Sequence, residues 1–146
     1  MVLKQEVIKE RLKALAEATG RLAELERLPF DKFAGDYRNV WLAERGLQIS
    51  AEALFDIGSH VLSGHFRATA KDYEDITRLL GERGVITPAL TLRLKGLGGF
   101  RNIIVHDYLE IDPRKVHEHL QKGLPDFAEF ARQILAWLDR RRSEGS

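Results

Sequence analysis

Within the segment GFRNIIVHDYLEID, residues 99–112, an arginine, an amide, a histidine, a carboxylate and a phenol crowd around the apolar run Ile103, Ile104 and Val105. Arg101 can hold a phosphate, because its planar guanidinium donates paired hydrogen bonds and stays charged at any working pH. His106 can move a proton near neutrality. Asn102, four residues before His106, would lie over the imidazole on a continuous helix and could fix its orientation. Arg101, five residues before it, would point about 140° away on the same straight helix. The two side chains therefore converge only if the helix ends near His106, if the arginine bends back, or if two chains bring their copies to one cleft.

A guanidinium and an imidazole at one phosphodiester, without a metal, meet the needs of RNA cleavage by the neighbouring 2′-hydroxyl. The imidazole moves protons and the cation stabilises the crowded phosphorane. DNA lacks the attacking hydroxyl and would not be cut this way. From spacing alone the bland alternative is stronger, since an arginine and a histidine near a helix end more often cap carbonyls than catalyse.

Other chemistries find less support. The chain has no cysteine, which removes disulfides, thiolate metal sites and cysteine nucleophiles together. His117 and His119 are two apart, on opposite sides of a helix, and read as a solvated pair, while His60 and His65 straddle an expected helix end without a carboxylate ligand set. Neither pair suggests a metal, and no cofactor is expected. Gly96, Gly98 and Gly99 lack the lysine and hydroxyl of a phosphate loop and suit close helix packing. With 23 basic and 22 acidic residues among 146, bulk charge does not favour coating a nucleic acid, though a local basic site formed on folding is compatible with it. Arg140, Arg141 and Arg142 favour the negative end of the last helix and are available to RNA or a partner. No run approaches a membrane span and the first residues do not read as a signal peptide, so the expected location is the cytoplasm.

The elements that must position the motif are helical. From Ile8, apolar residues at Leu12, Leu15, Leu22 and Leu25 mark an amphipathic helix ended by Pro29. A second helix is expected after Asp36, running to about Ser63, and a third over 71–83 with Gly84 as a left-handed cap. Thr87 followed by Pro88 predicts a fourth, carrying the motif near its far end. Asp112 followed by Pro113 opens a fifth, which Pro125 should kink rather than split. The reading is an all-α, antiparallel bundle of about five helices, one domain over 1–142 with a flexible tail over 143–146.

The second helix carries charge where a solvated face would be plain. Val40, Ala43, Leu47, Ala51, Leu54, Gly58 and Val61 form its core stripe. Opposite them Arg45, Glu52 and Asp56 fall within about 40° of one another, flanked by Trp41, Leu42 and Ile49. Either the apolar residues reach around to neighbouring helices, or this face meets a second subunit and the three charged residues support a site held between two chains.

The motif resembles the signature of the HEPN superfamily, in which an arginine, usually followed by a polar residue, is separated from a histidine by a short stretch of variable length, and Arg101, Asn102 and His106 fit its shortest version. More narrowly, the chain is similar to HepT-type toxins. WLAERGLQISAEALFDIGSHVL resembles that family's second helix, DYEDITRLLGERGVI its third, and GLGGFRNIIVHDYLEID its active segment. The resemblance implies a HEPN-like fold and a toxin that is a metal-independent endoribonuclease. It further implies a homodimer whose two motifs face one cleft, with Arg101 on the scissile phosphate, His106 in proton transfer, and Asn102 and Asp107 beside them. It also implies an MntA-like nucleotidyltransferase antitoxin that attaches AMP to Tyr108. The competing reading is a noncatalytic interaction module that partners such a nucleotidyltransferase and binds a nucleotide.

Overall fold

A computed structural model describes residues 4–95 and 112–144, with side chains as far as 142. Six helices, α1 (Gln5–Glu26), α2 (Phe30–Ala34), α3 (Tyr37–His65), α4 (Tyr73–Glu82), α5 (Pro88–Leu94) and α6 (Pro113–Glu144), make up the described residues, which contain no strand. The expected all-α bundle is correct, with one addition. The five residues of α2 fall between Pro29 and the next cap, too short to show a periodicity. At the other end, α6 runs two residues into the expected tail.

Four of the six helices begin where a side chain supplies an acceptor for a first free N–H group, while α1 and α2 start without one. Asp36 accepts from the Arg38 N–H at 2.9 Å, Asp72 from the Asp75 N–H at 2.8 Å, Thr87 from the Leu90 N–H at 3.2 Å and Asp112 from the Arg114 N–H at 3.0 Å. Gly84 turns the chain after α4 with φ of 74°, as its position predicted, and this is a conformation that costs a residue with a Cβ.

The long helices α1, α3 and α6 pack against one another around fully buried Ile8, Leu15, Leu47, Leu54, Phe127, Phe130 and Ile134. α4 lies against the distal half of α3 at Gly58, where a Cβ would meet Ile76 Cγ2 at 2.5 Å, so that residue sets how closely the two helices approach. Pro125 interrupts neither the helix nor its apolar phase. No helix among the described residues is long and apolar enough to cross a membrane.

Candidate functional site

Arg101, Asn102, His106, Asp107 and Tyr108 lie outside the described residues, so the motif is approached from the elements that hold its two ends. The helix opened by Thr87 and Pro88 does not carry the motif, contrary to the sequence reading. It ends at Leu94, where the Lys95 N–H reaches Leu92 O at 3.3 Å and the Lys95 backbone leaves the helical region with ψ of 130°. A glycine-rich stretch, Gly96, Gly98 and Gly99, follows at once and favours a stop.

The end of α5 is fastened to α6. Arg93 Nε donates to Asp126 Oδ1 at 2.8 Å, and the Thr87 N–H donates to Gln133 Oε1 at 2.8 Å while Gln133 Nε2 donates back to Thr87 Oγ1 at 3.2 Å. Gln133 is 7% exposed, so this pairing satisfies a buried amide and ties the cap of α5 to the middle of α6. The chain returns at Asp112, the cap of the same helix. The two ends of the described chain that flank the motif are therefore both held on α6, at points about 20 Å apart along its axis.

The first turns of α6 are clamped by α2. The Arg114 guanidinium sits 4.3 Å over the Phe30 ring, and the His117 ring meets Phe30 at 5.6 Å and Phe33 at 5.2 Å. His117 Nε2 lies 3.3 Å from Leu28 O. His119 is also partly buried, and desolvation holds its pKa below the usual imidazole value despite Glu118, while Lys122 and Lys115 add to the lowering. The expected solvated pair is therefore corrected: each histidine is partly buried, His117 because the rings of α2 close over it. His60 accepts from the Lys4 N–H at 3.3 Å, and His65 accepts from Arg141 Nε at 3.0 Å. Among the described residues no group of three or more His, Asp or Glu side chains is arranged to hold a metal ion.

From α2 the chain enters α3, whose outer face is the unusual one. Tyr37 is 64% exposed, Trp41 59%, Leu42 62% and Ile49 37%. They do not reach around to neighbouring helices, so the first explanation of this face fails. Tyr37 and Trp41 meet edge to face at 5.1 Å, with Arg45 exposed one turn on and Glu52 half-buried beside Gln48, whose Nε2 lies 3.5 Å from Glu52 Oε1. Asp56 is separated from these two in its contacts: it faces α1, where Arg11 Nε lies 4.0 Å away. That pair is exposed at both ends and contributes little to stability.

Glu44 was not picked out from the sequence. It is half-buried on α3, and desolvation raises its carboxyl above the usual carboxylate range. Its signal in the sequence is position, at the border between the core stripe and the outer face, where a glutamate is less expected than on the fully polar side.

The ribonuclease HepT-like family model matches residues 8–134. The chain is 28% identical over 134 residues to the tRNA nuclease HepT of Aphanizomenon flos-aquae, covering 90% of each protein. It is 36% identical over 90 residues to the mRNA nuclease HepT of Shewanella oneidensis, covering 62% of this chain and 68% of that one. A solved structure of the tri-AMPylated Shewanella oneidensis HEPN toxin in complex with MNT antitoxin superposes with a TM-score of 0.80 at 28% identity, covering 89% of this chain and 97% of that one.

Proposed function

The chain belongs to the HepT-like ribonuclease family, and from that premise we propose that it is the toxin of a toxin–antitoxin pair, an endoribonuclease that cuts RNA without a metal. The observation that carries the reading is the family match over 8–134, which contains the complete motif of Arg101, Asn102 and His106 in sequence. His106 takes the proton of a ribose 2′-hydroxyl as that oxygen attacks phosphorus. Arg101 neutralises the charge that builds on the phosphorane, and the 5′-oxygen departs with a proton returned from an imidazole. The products carry a 2′,3′-cyclic phosphate and a 5′-hydroxyl. Asn102 orients the imidazole, and Asp107 supports it from the next position.

Two copies of the chain form the active cleft. The exposed stripe of Tyr37, Trp41, Leu42 and Ile49 supports this, being an apolar surface of the kind that marks an interface. Arg45 and Glu52 lie within that contact, while Asp56 serves α1 instead. A nucleotidyltransferase antitoxin of the MntA kind restrains the enzyme: the Tyr108 oxygen attacks the α-phosphorus of ATP, pyrophosphate leaves, and AMP remains as a phosphodiester. An anion of that bulk beside Arg101 and His106 occupies the phosphate position and blocks RNA. The reading is supported by the related Shewanella toxin, which is tri-AMPylated and bound to its MNT antitoxin.

The test is an RNA substrate incubated in chelator beside the same molecule carrying 2′-deoxyribose at each cleaved position. The expected outcome is chelator-resistant cutting of the first, with cyclic phosphate ends, and none of the second. Cutting at the deoxy positions would refute 2′-hydroxyl attack. Co-expression with the cognate nucleotidyltransferase should add AMP mass to the wild-type chain and none to Tyr108→Phe; mass retained by that variant would place the modification elsewhere.

A further inference from the structure

At the end of the bundle formed by the last turns of α3, α4 and α6, three separate elements bring arginines onto one aromatic cluster. The Arg83 guanidinium, from the end of α4, lies 5.6 Å from the centre of the Phe66 ring. Phe66 meets Trp137 of α6 at 6.0 Å, and His65 stands edge-on to both, at 4.6 Å from Phe66 and 5.0 Å from Trp137. Arg141 Nε closes the group on His65 Nδ1. Arg140 lies on the other flank of Trp137, about 60° around α6, and lines a groove of about 430 Å3 with Arg132, the turn at Gly84 and the carboxylate of Glu82, which pairs with Arg78. Arg67 is exposed immediately after Phe66.

Within this group the arginines lack ion-pair partners among the described residues. Arg78 is paired with Asp75 and Glu82, Arg93 with Asp126 and Arg132 with Glu129, but no carboxylate lies within ion-pair distance of Arg67, Arg83, Arg140 or Arg141 among the described residues. Each of the four stands at the C-terminal end of a helix, Arg67 just past the cap of α3, Arg83 as the cap of α4 and Arg140 and Arg141 near the end of α6, so the dipoles favour each singly; the grouping of three such ends around one aromatic cluster is the feature left to explain. Arg67 also adopts φ of 54°, the left-handed region that glycine enters freely and a side chain enters at a cost. That conformation belongs to the turn that closes α3, where the Ala68 N–H reaches Leu62 O at 3.0 Å.

We infer that Arg67, Arg83, Arg140 and Arg141 form a second RNA-binding site, a phosphate grip outside the motif, with the exposed edges of His65 and Phe66 offering a surface for a base. The inference rests on the ribonuclease reading for its choice of RNA. Arg141 lies about 43 Å along α6 from Asp112, where the described chain resumes after the motif. An anionic membrane fits less well: Leu135, the large exposed apolar residue of this part of α6, lies about 120° around the helix from Arg141, so the patch has no apolar wedge beside its charge.

The experiment measures equilibrium binding of a structured RNA of transfer-RNA size to the full chain carrying His106→Ala, so that cleavage does not intervene, across a salt series. In that background Arg67→Gly and the pair Arg83→Ala with Arg140→Ala are compared, with thermal melting of each. The expected result is a loss of affinity of about tenfold for the pair and a fall of about one in the salt slope for each phosphate contact removed. Arg67→Gly should weaken binding while melting at the same or a higher temperature, since it relieves the backbone, and a purely structural arginine would not combine those two changes. Unchanged affinity and salt slope in all variants would overturn the grip. So would variants that lose binding to vesicles of anionic lipid yet keep their RNA affinity. Because binding is read without cleavage, a wild-type chain that cuts no RNA would refute the ribonuclease reading and leave this measurement to decide the grip separately.

Discussion

At Glu44 and Gln133 a single side chain does something a sequence pattern does not express. Glu44 loses water without gaining a cation among the described residues, and its carboxyl is raised for that reason. The linkage follows from the direction. A carboxyl raised in the fold binds its proton more readily than in the unfolded chain, so the fold is favoured below the unfolded pKa, and that advantage is lost as pH rises through the folded pKa. Glu44→Gln should therefore raise the melting temperature at pH 7 and leave it nearly unchanged at pH 3; a variant equally stabilised at both would show that burial of charge is not the cause. The motif itself is the converse case. Arg101, Asn102 and His106 stand out by residue type and spacing, because phosphate binding and proton transfer need such groups, whereas Tyr108 is singled out only by the family resemblance; all four lie outside the described residues. What spacing left open was their convergence, since a residue separation fixes angles only on a helix whose ends are known.

The elements were read well where a cap and a period agree. Asp36, Asp72, Thr87 and Asp112 each begin a helix, and each has a side-chain acceptor aimed at a free N–H. Lengths were harder. The marker after Leu94 was Gly96, Gly98 and Gly99, which the sequence reading assigned to close helix packing rather than to a helix end, and the anchorage of α5 on α6 reinforces the stop. α2 was missed because five residues contain less than one and a half turns. Both lapses concern the elements that aim the motif, which are short and held by tertiary contacts. Gln133 is the most buried of those contacts. Gln133→Ala strips the Thr87 N–H of its partner and should cost about 1–3 kcal/mol in chemical unfolding. A loss near zero would mean that water replaces the amide and that α5 is not held by it.

For the whole molecule, the decisive feature is the face of α3. Its charge was predicted from the helical wheel, and its exposure distinguishes the two explanations the wheel left standing, because Trp41 and Leu42 are more than half accessible in the single chain. An interface there makes a prediction about assembly: Trp41→Arg with Ile49→Asp should convert a dimer into a monomer by light scattering, without lowering the melting temperature of the monomer's own core, since neither side chain is buried in it. A dimer that survives the pair would move the interface to another face. Catalysis is the property that ties these scales together, because the account requires a guanidinium from a fastened segment, an imidazole beside it, and a second chain to complete the cleft. The most direct measurement is the rate of RNA cleavage in chelator by matched preparations of wild type and His106→Ala. The account predicts a loss of at least about 100-fold in the variant. Cutting by His106→Ala at the wild-type rate would contradict it.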